Sequence, residues 1–157
     1  MQYKQRRGQR GFSLIELMIV MAIIGILITV GIPAYYGMIR NGNETAAAAH
    51  MRAIAQAQSG YHSKRRQYAD FVTLIKQGAL NERFDGESPV VDGYKFTLKT
   101  TPRGNGQEAF YSVNADPAQP EGVTRTGSVY YYIGSDASGI RINDEAAATK
   151  DDPPLAG

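Results

Sequence analysis

No cysteine occurs among the 157 residues. Disulfide staples, thiolate metal sites and thiol nucleophiles are therefore excluded together. Tryptophan is also absent, and the two histidines, His50 and His62, stand far apart. Two lone imidazoles are too few for a histidine-based metal centre, which draws on three or four ligands. A dominant charge of one sign is missing as well: 17 Lys plus Arg against 15 Asp plus Glu leave a formal net charge of +2. That excess is too small to argue for a nucleic-acid binder, whose footprint is a strongly basic face. The excess is also unevenly placed. Lys4, Arg6, Arg7 and Arg10 all precede Gly11, and without them the balance is 13 against 15. The body of the chain is mildly acidic. No Ser/His/Asp set and no carboxylate pair stands out by spacing, so no catalytic residue, no cofactor and no metal ligand is assigned.

What is present is one long apolar stretch. From Leu17 to Ile39 there are 23 residues without a charge, and a bilayer needs about 20 apolar residues of helix. The mean hydropathy of the whole chain is −0.33, so the remainder is water-facing. Four basic residues before the span, against the lone Arg40 just after it, place the N-terminus on the cytoplasmic side. A secretory signal peptide has an apolar stretch of about 7–15 residues followed by a small-residue cleavage site; here the stretch is too long and more helix-like sequence follows. The Arg6-Arg7 pair lacks the flanks of a twin-arginine signal. A plain membrane anchor remains, but it has no use for Glu16, set between Ile15 and Leu17. A carboxylate at a bilayer centre costs about 2.5–3.5 kcal/mol, and such residues usually mark function.

The segment Arg10-Gly11-Phe12-Ser13-Leu14-Ile15-Glu16-Leu17 resembles the processing motif of type IV pilins and of the pseudopilins of type II secretion. The resemblance covers about thirty contiguous residues: a basic leader, Gly before the cut, Phe after it, Glu at the fifth position beyond the cut, and Pro33 at the family's depth. It implies cleavage after Gly11 by a membrane prepilin peptidase, followed by N-methylation of Phe12. It also implies that the Phe12 amine of an incoming subunit pairs with Glu16 of a subunit already in a filament. Elementary physics agrees with the first point. Glycine has no Cβ, so an extended backbone can approach a catalytic site closely, and a polar leader stays at the membrane surface.

Along the chain, residues 12 to 66 read as one helix in two halves, with the first half apolar on all sides. The second is amphipathic, because Ala47, Met51, Ile54, Ala57 and Tyr61 recur at three- and four-residue steps. Gly31, Pro33 and Gly37, with Asn41-Gly42-Asn43 beyond, weaken the helix between them. Pro33 lacks the amide proton that would bond the Thr29 carbonyl. The plain consequence is a kink; the resemblance implies a segment that loosens when subunits pack. Asp70 to Gly78 has an N-cap residue, an apolar face and a closing glycine, the marks of a short helix. Tyr94, Phe96 and Leu98 alternate with Lys95, Thr97 and Lys99, a half-buried strand. Residues 110–115, 128–133 and 139–142 read as three further strands, separated by turns at 102–106 and 136–139 and a longer loop at 116–122. The expected fold is α+β, a long N-terminal helix packed on an antiparallel sheet of about four strands. The expected divisions are a leader at 1–11, a membrane and assembly helix at 12–39, its amphipathic half at 40–66, a head at 67–143 and a flexible tail at 144–157.

Three other clusters invite functional readings. Asp136, Asp144, Glu145, Asp151 and Asp152 invite a calcium reading, but calcium wants six to eight converging oxygens, and these acids are spread around an intervening strand. Lys64-Arg65-Arg66 could meet phosphates, though basic residues at a helix end are the ordinary complement to its dipole, so no nucleic-acid partner is expected. In Tyr130-Tyr131-Tyr132, alternation sets Tyr131 on the face opposite its neighbours. The reading that results is a non-enzymatic structural subunit of a pilus-like filament. Its partners are copies of itself, the inner membrane, the prepilin peptidase and a pilus or secretion assembly platform. The alternatives are a major pseudopilin of a type II secretion system and, further off, a single-pass anchored periplasmic domain. The subunit waits in the bacterial inner membrane, then joins a surface pilus or a periplasmic filament.

Overall fold

The computed structural model of the chain describes residues 11–104 and 106–156. Apart from Gly11, the basic leader expected at 1–11 lies outside the described residues. The chain divides into two compact units, the first ending at Tyr35 and the second beginning at Tyr36. Helix α1, Leu14–Arg65, contributes to both.

In the first unit α1 starts just after Ser13, whose N–H donates to Glu16 Oε2 at 2.8 Å. The helix continues through Gly31 and Pro33. Every residue from Gly11 to Tyr35 is exposed.

In the second unit α1 buries Ala47, Ala48, Met51, Ile54, Ala57 and Gln58. Four of these are positions the three- and four-residue spacing marks, and Tyr61, the fifth, is partly buried against Ala57, Ala69 and Leu74. Helix α2, Phe71–Lys76, follows, with Asp70 as its N-cap accepting from the Thr73 N–H at 2.8 Å. One 3₁₀ turn, Glu82–Phe84, which the sequence reading lacks, puts Phe84 into the core.

The sheet has five strands rather than four: β1 Val90–Val91, β2 Tyr94–Thr101, β3 Phe110–Pro117, β4 Tyr130–Gly134 and β5 Arg141–Asn143. They form an antiparallel meander in chain order. The extra strand, β1, is created by the Asp92-Gly93 turn, where both residues have positive φ, +47° and +76°. That is the signature of a two-residue hairpin whose twist matches its strands. One face of the sheet carries Tyr94, Phe96, Val113, Ala115, Tyr131 and Ile133, all buried in one cluster with Met51 and Ile54. The register explains the face: Phe96 lies opposite Ala115, and Ala115 opposite Tyr131. Tyr94, fully buried, satisfies its hydroxyl on the Val129 carbonyl at 2.9 Å, and burial pushes its pKa well above the ordinary phenol value. Gly127 has to be glycine beside it, because a Cβ there would stand 2.1 Å from the Tyr94 hydroxyl oxygen.

The composition of residues 144–157 suggests a loose tail, yet most of the tail has definite partners. Asn114, on the opposite face of the sheet from Val113 and Ala115, donates to the Ala148 carbonyl at 2.8 Å, and Ala148 is 2% exposed. The Leu155 N–H donates to the Ile140 carbonyl at 2.8 Å and the Ile142 N–H to the Pro153 carbonyl at 2.9 Å. Leu155 packs against the core.

Candidate functional site

In the first unit the described residues 11–34 are all exposed. Phe12 is 88% exposed, and the aliphatic residues that follow are exposed in turn around the helix. Among the described residues α1 is long and apolar enough to cross a membrane. Gly11 sits one residue before Phe12, and a Cβ at Gly11 would meet nothing within 4 Å. The subunit's own packing therefore does not explain that glycine. The same holds for Gly31 and Gly37, although each glycine inside a helix costs about 1 kcal/mol relative to alanine.

Glu16 lies in the first turn of α1 and has a partner that the sequence reading missed. By accepting from the Ser13 N–H it forms one half of a capping box, satisfying a donor that the helix leaves unpaired. The Ser-x-x-Glu spacing of Ser13 and Glu16 is the signal that announces it. The carboxylate is thus positioned at the helix N-terminus, where the dipole favours negative charge.

In the second unit, α1 places two polar residues that organise the connection between β3 and β4. Asn43 Nδ2 donates to the Thr126 carbonyl at 2.9 Å, and Glu44 Oε1 accepts from both the N–H and the hydroxyl of Ser128 at 2.8 Å. From composition, Asn41-Gly42-Asn43 reads as a weak point of the helix. In the structure Asn43 is helical and holds a distant loop.

His50, which the sequence leaves without a role, contacts Asp92 through Nε2 at 2.8 Å. Arg83 reaches the other oxygen of the same carboxylate. The Arg83 guanidinium, then His50, hold the Asp92 carboxyl below the usual carboxylate range. The His50 ring also meets Phe84 and Phe96 edge-on, with centroids 5.3 and 5.9 Å away. This cluster ties the β1–β2 turn to α1 and the 3₁₀ turn. The other histidine, His62, stacks on Tyr68 at 4.6 Å.

The acidic residues that invite a calcium reading have local uses. Asp152 Oδ2 accepts from the N–H and the hydroxyl of Thr149, its Oδ1 accepts from Asn143, and Asp136 accepts from the Tyr132 hydroxyl at 2.7 Å. Among the described residues no group of three or more His, Cys, Asp or Glu is placed to hold a metal ion. Lys64, Arg65 and Arg66 are exposed at the end of α1. Tyr131 faces the core against Tyr94, with centroids 5.7 Å apart, while Tyr132 turns the other way to Asp136.

Comparison with known proteins addresses both units. Residues 6–32 match the family described as the prokaryotic N-terminal methylation motif. The type IV major pilin protein PilA of Myxococcus xanthus is 41% identical over 66 residues, which cover 42% of this chain and 30% of that protein. The type IV major alpha-pilin of Moraxella bovis is 49% identical over 46 residues, 29% of each chain. The chain thus spans less than a third of these two pilins. The type II secretion system core protein G of Pseudomonas aeruginosa is 31% identical over 126 residues, 71% of this chain and 87% of that one. That match extends well beyond the apolar stretch into the head. The chain belongs to the family of type IV pilins and type II secretion pseudopilins.

Proposed function

We propose that the chain is a structural, non-enzymatic subunit of a pilus-like filament, assembled through the apolar half of α1 after a prepilin peptidase removes residues 1–11. The observation that carries this reading is the continuous exposure of residues 11–35. Leaving the sixteen Ala, Val, Leu, Ile and Met side chains of this stretch in water would be prohibitive, at roughly 0.8 kcal/mol per exposed CH₂. Lipid covers them before assembly, and the same helices of other copies cover them afterwards. The N-terminus faces the cytoplasm before assembly, and the inner membrane, the prepilin peptidase and an assembly platform are the partners. After cleavage Phe12 carries a methylated amine. Glu16 gives up its own cap and pairs with the Phe12 amine of the next subunit. Gly31 and Gly37, where a Cβ would meet nothing within 4 Å, form with Pro33 the segment that loosens as helices pack.

A second reading, a major pseudopilin in a periplasmic secretion filament, is favoured by one observation. The core protein G similarity reaches most of the head, whereas the two pilins above match only 46 to 66 residues. Mass spectrometry of the mature protein tests the processing: a chain starting at Phe12 with one extra methyl group is expected, and a mature chain retaining Met1 overturns the proposal. Shearing cells and imaging the released material separates the readings. Long surface filaments support the pilus, and filaments only on overproduction, with protein secretion lost on deletion, support the pseudopilin.

A further inference from the structure

One concave surface of the second unit has no part in the roles above. It lies between α1 and the β4–β5 side of the sheet, with a volume of about 500 Å³. Its apolar lining is Ala48, Val129, Tyr131, Ile142 and Leu155, and the exposed Arg52 adds a cation. The groove's own acid, Glu44, is already committed to Ser128. Arg52 makes no ion pair among the described residues. An apolar trough with an uncompensated guanidinium calls for an occupant that brings an apolar side chain and a carboxylate together.

The chain itself offers one. Among the described residues beyond α1, the exposed large apolar side chains are Val72, Val90 and Val123, and Val123 is the most exposed at 67%. Val72 belongs to α2 and Val90 to β1, whereas Val123 sits in a turn of the β3–β4 connection, where the Arg125 N–H reaches back to the Gly122 carbonyl at 3.4 Å. Two residues before Val123 stands Glu121, exposed and likewise without an ion pair among the described residues. We infer that the groove receives the Glu121-Gly122-Val123 tip of a second copy of this chain, with Val123 on the apolar lining and Glu121 against Arg52.

Charge complementarity selects this occupant, and so does continuity with the assembly surface. The groove-lining part of α1 begins at Asn41, two residues after the uncharged stretch ends at Ile39. Knob and groove are different surfaces, so the contact is heterologous and propagates into an open helical array unless its rotation closes a ring. The inference rests on the filament reading and adds a head-to-head contact to it.

The full-length chain in filament-producing cells is the material for the test. Because the chain has no cysteine, T45C in the groove lining and T124C beside Val123, placed on separate co-expressed copies, are read without background and keep Arg52, Glu121 and Val123. A short bismaleimide crosslinker applied to sheared filaments is expected to give dimers only when both variants are present. Filaments that assemble normally and yield no 45–124 crosslink overturn the groove contact and leave the filament reading standing, with some other partner as the occupant. A wild-type chain that makes no filament in any host overturns both. A charge swap provides the second readout. R52E and E121R should each lower sheared filament by about tenfold, since like charges facing each other across an interface are strongly unfavourable, and the double variant should restore it. Single variants at wild-type yield overturn the pairing.

Discussion

The two halves of α1 are a single helix with opposite fates. From Gly11 to Tyr35 every residue is exposed, though nearly all are apolar; from Ala47 to Gln58 the same helix buries six side chains. Hydrophobicity alone does not bury a residue. Burial needs a facing surface, and the second half of α1 has one in the sheet. The first half has to find its cover in lipid or in other copies. Its apolar residues run all round the helix, which suits many neighbours, whereas the second half confines them to a stripe that suits one.

The largest effect that tests this contrast is at Glu16, the carboxylate of the uncovered half. Glu16→Val should leave membrane insertion intact and abolish filaments, with processed subunit accumulating in the inner membrane. An unpaired carboxylate entering an apolar assembly is costly, while a paired one is tolerated, and in the proposed assembly that pairing sets the register. Filament yield measured after shearing decides it, and wild-type yield would remove Glu16 from assembly.

Next comes a matched pair of truncations. Ile54→Ala, in the fully buried part of α1, should destabilise the head by about 2–5 kcal/mol, the usual cost of an aliphatic truncation to alanine in a core. Ile26→Ala, at a position 67% exposed, should leave head unfolding unchanged. Thermal melts of both full-length variants in the same detergent check the pair. Equal losses would mean that the two halves do not differ in the way described.

A smaller effect belongs to Asp92. Its folded pKa is lowered by Arg83 and His50, while an unfolded Asp titrates near 3.9. The contribution is therefore present above about pH 4 and is lost as pH falls through the lower, folded value. Asp92→Asn keeps a residue that tolerates positive φ and removes the charge. The difference in melting temperature between wild type and variant should be largest near neutrality and shrink below pH 4. A constant difference from pH 2 to 7 would show that the carboxylate does not stabilise the turn. The smallest effect is expected at Glu108, whose pair with Arg103 at 3.3 Å is largely exposed. Glu108→Ala should shift head stability by less than about 1 kcal/mol.

Much of this contrast is legible in the linear chain because it rests on local periodicity. Ala47, Met51, Ile54 and Ala57 mark the buried stripe by spacing alone, and the alternation of Tyr94 and Phe96 with Lys95 marks the inner face of β2. Strand β1 escapes because two residues carry no period; the Asp92-Gly93 pair was its available signal. The Ser13–Glu16 cap was likewise readable from spacing. Gln58 was not readable. It is fully buried and bonds both the N–H and the carbonyl of Ala69, and nothing in its neighbourhood along the chain marks that partner eleven residues away.

By itself, then, the amino-acid order determined the uncharged stretch, the Gly11-Phe12 junction with Glu16 beyond it, the amphipathic stripe and the antiparallel α+β class, since each depends on residues within a few positions of one another. Only the tertiary structure decided that Asn43 and Glu44 hold the β3–β4 connection, that His50 and Arg83 share the Asp92 carboxylate, that the tail packs through Ala148 and Leu155, and that Arg52 looks into an open groove. Such contacts join residues far apart in the chain, as the Tyr131 hydroxyl does with the Glu44 carbonyl 87 positions away. The entropy of closing such loops is repaid by the collective burial of the core, so no single stretch of sequence carries the sign of them.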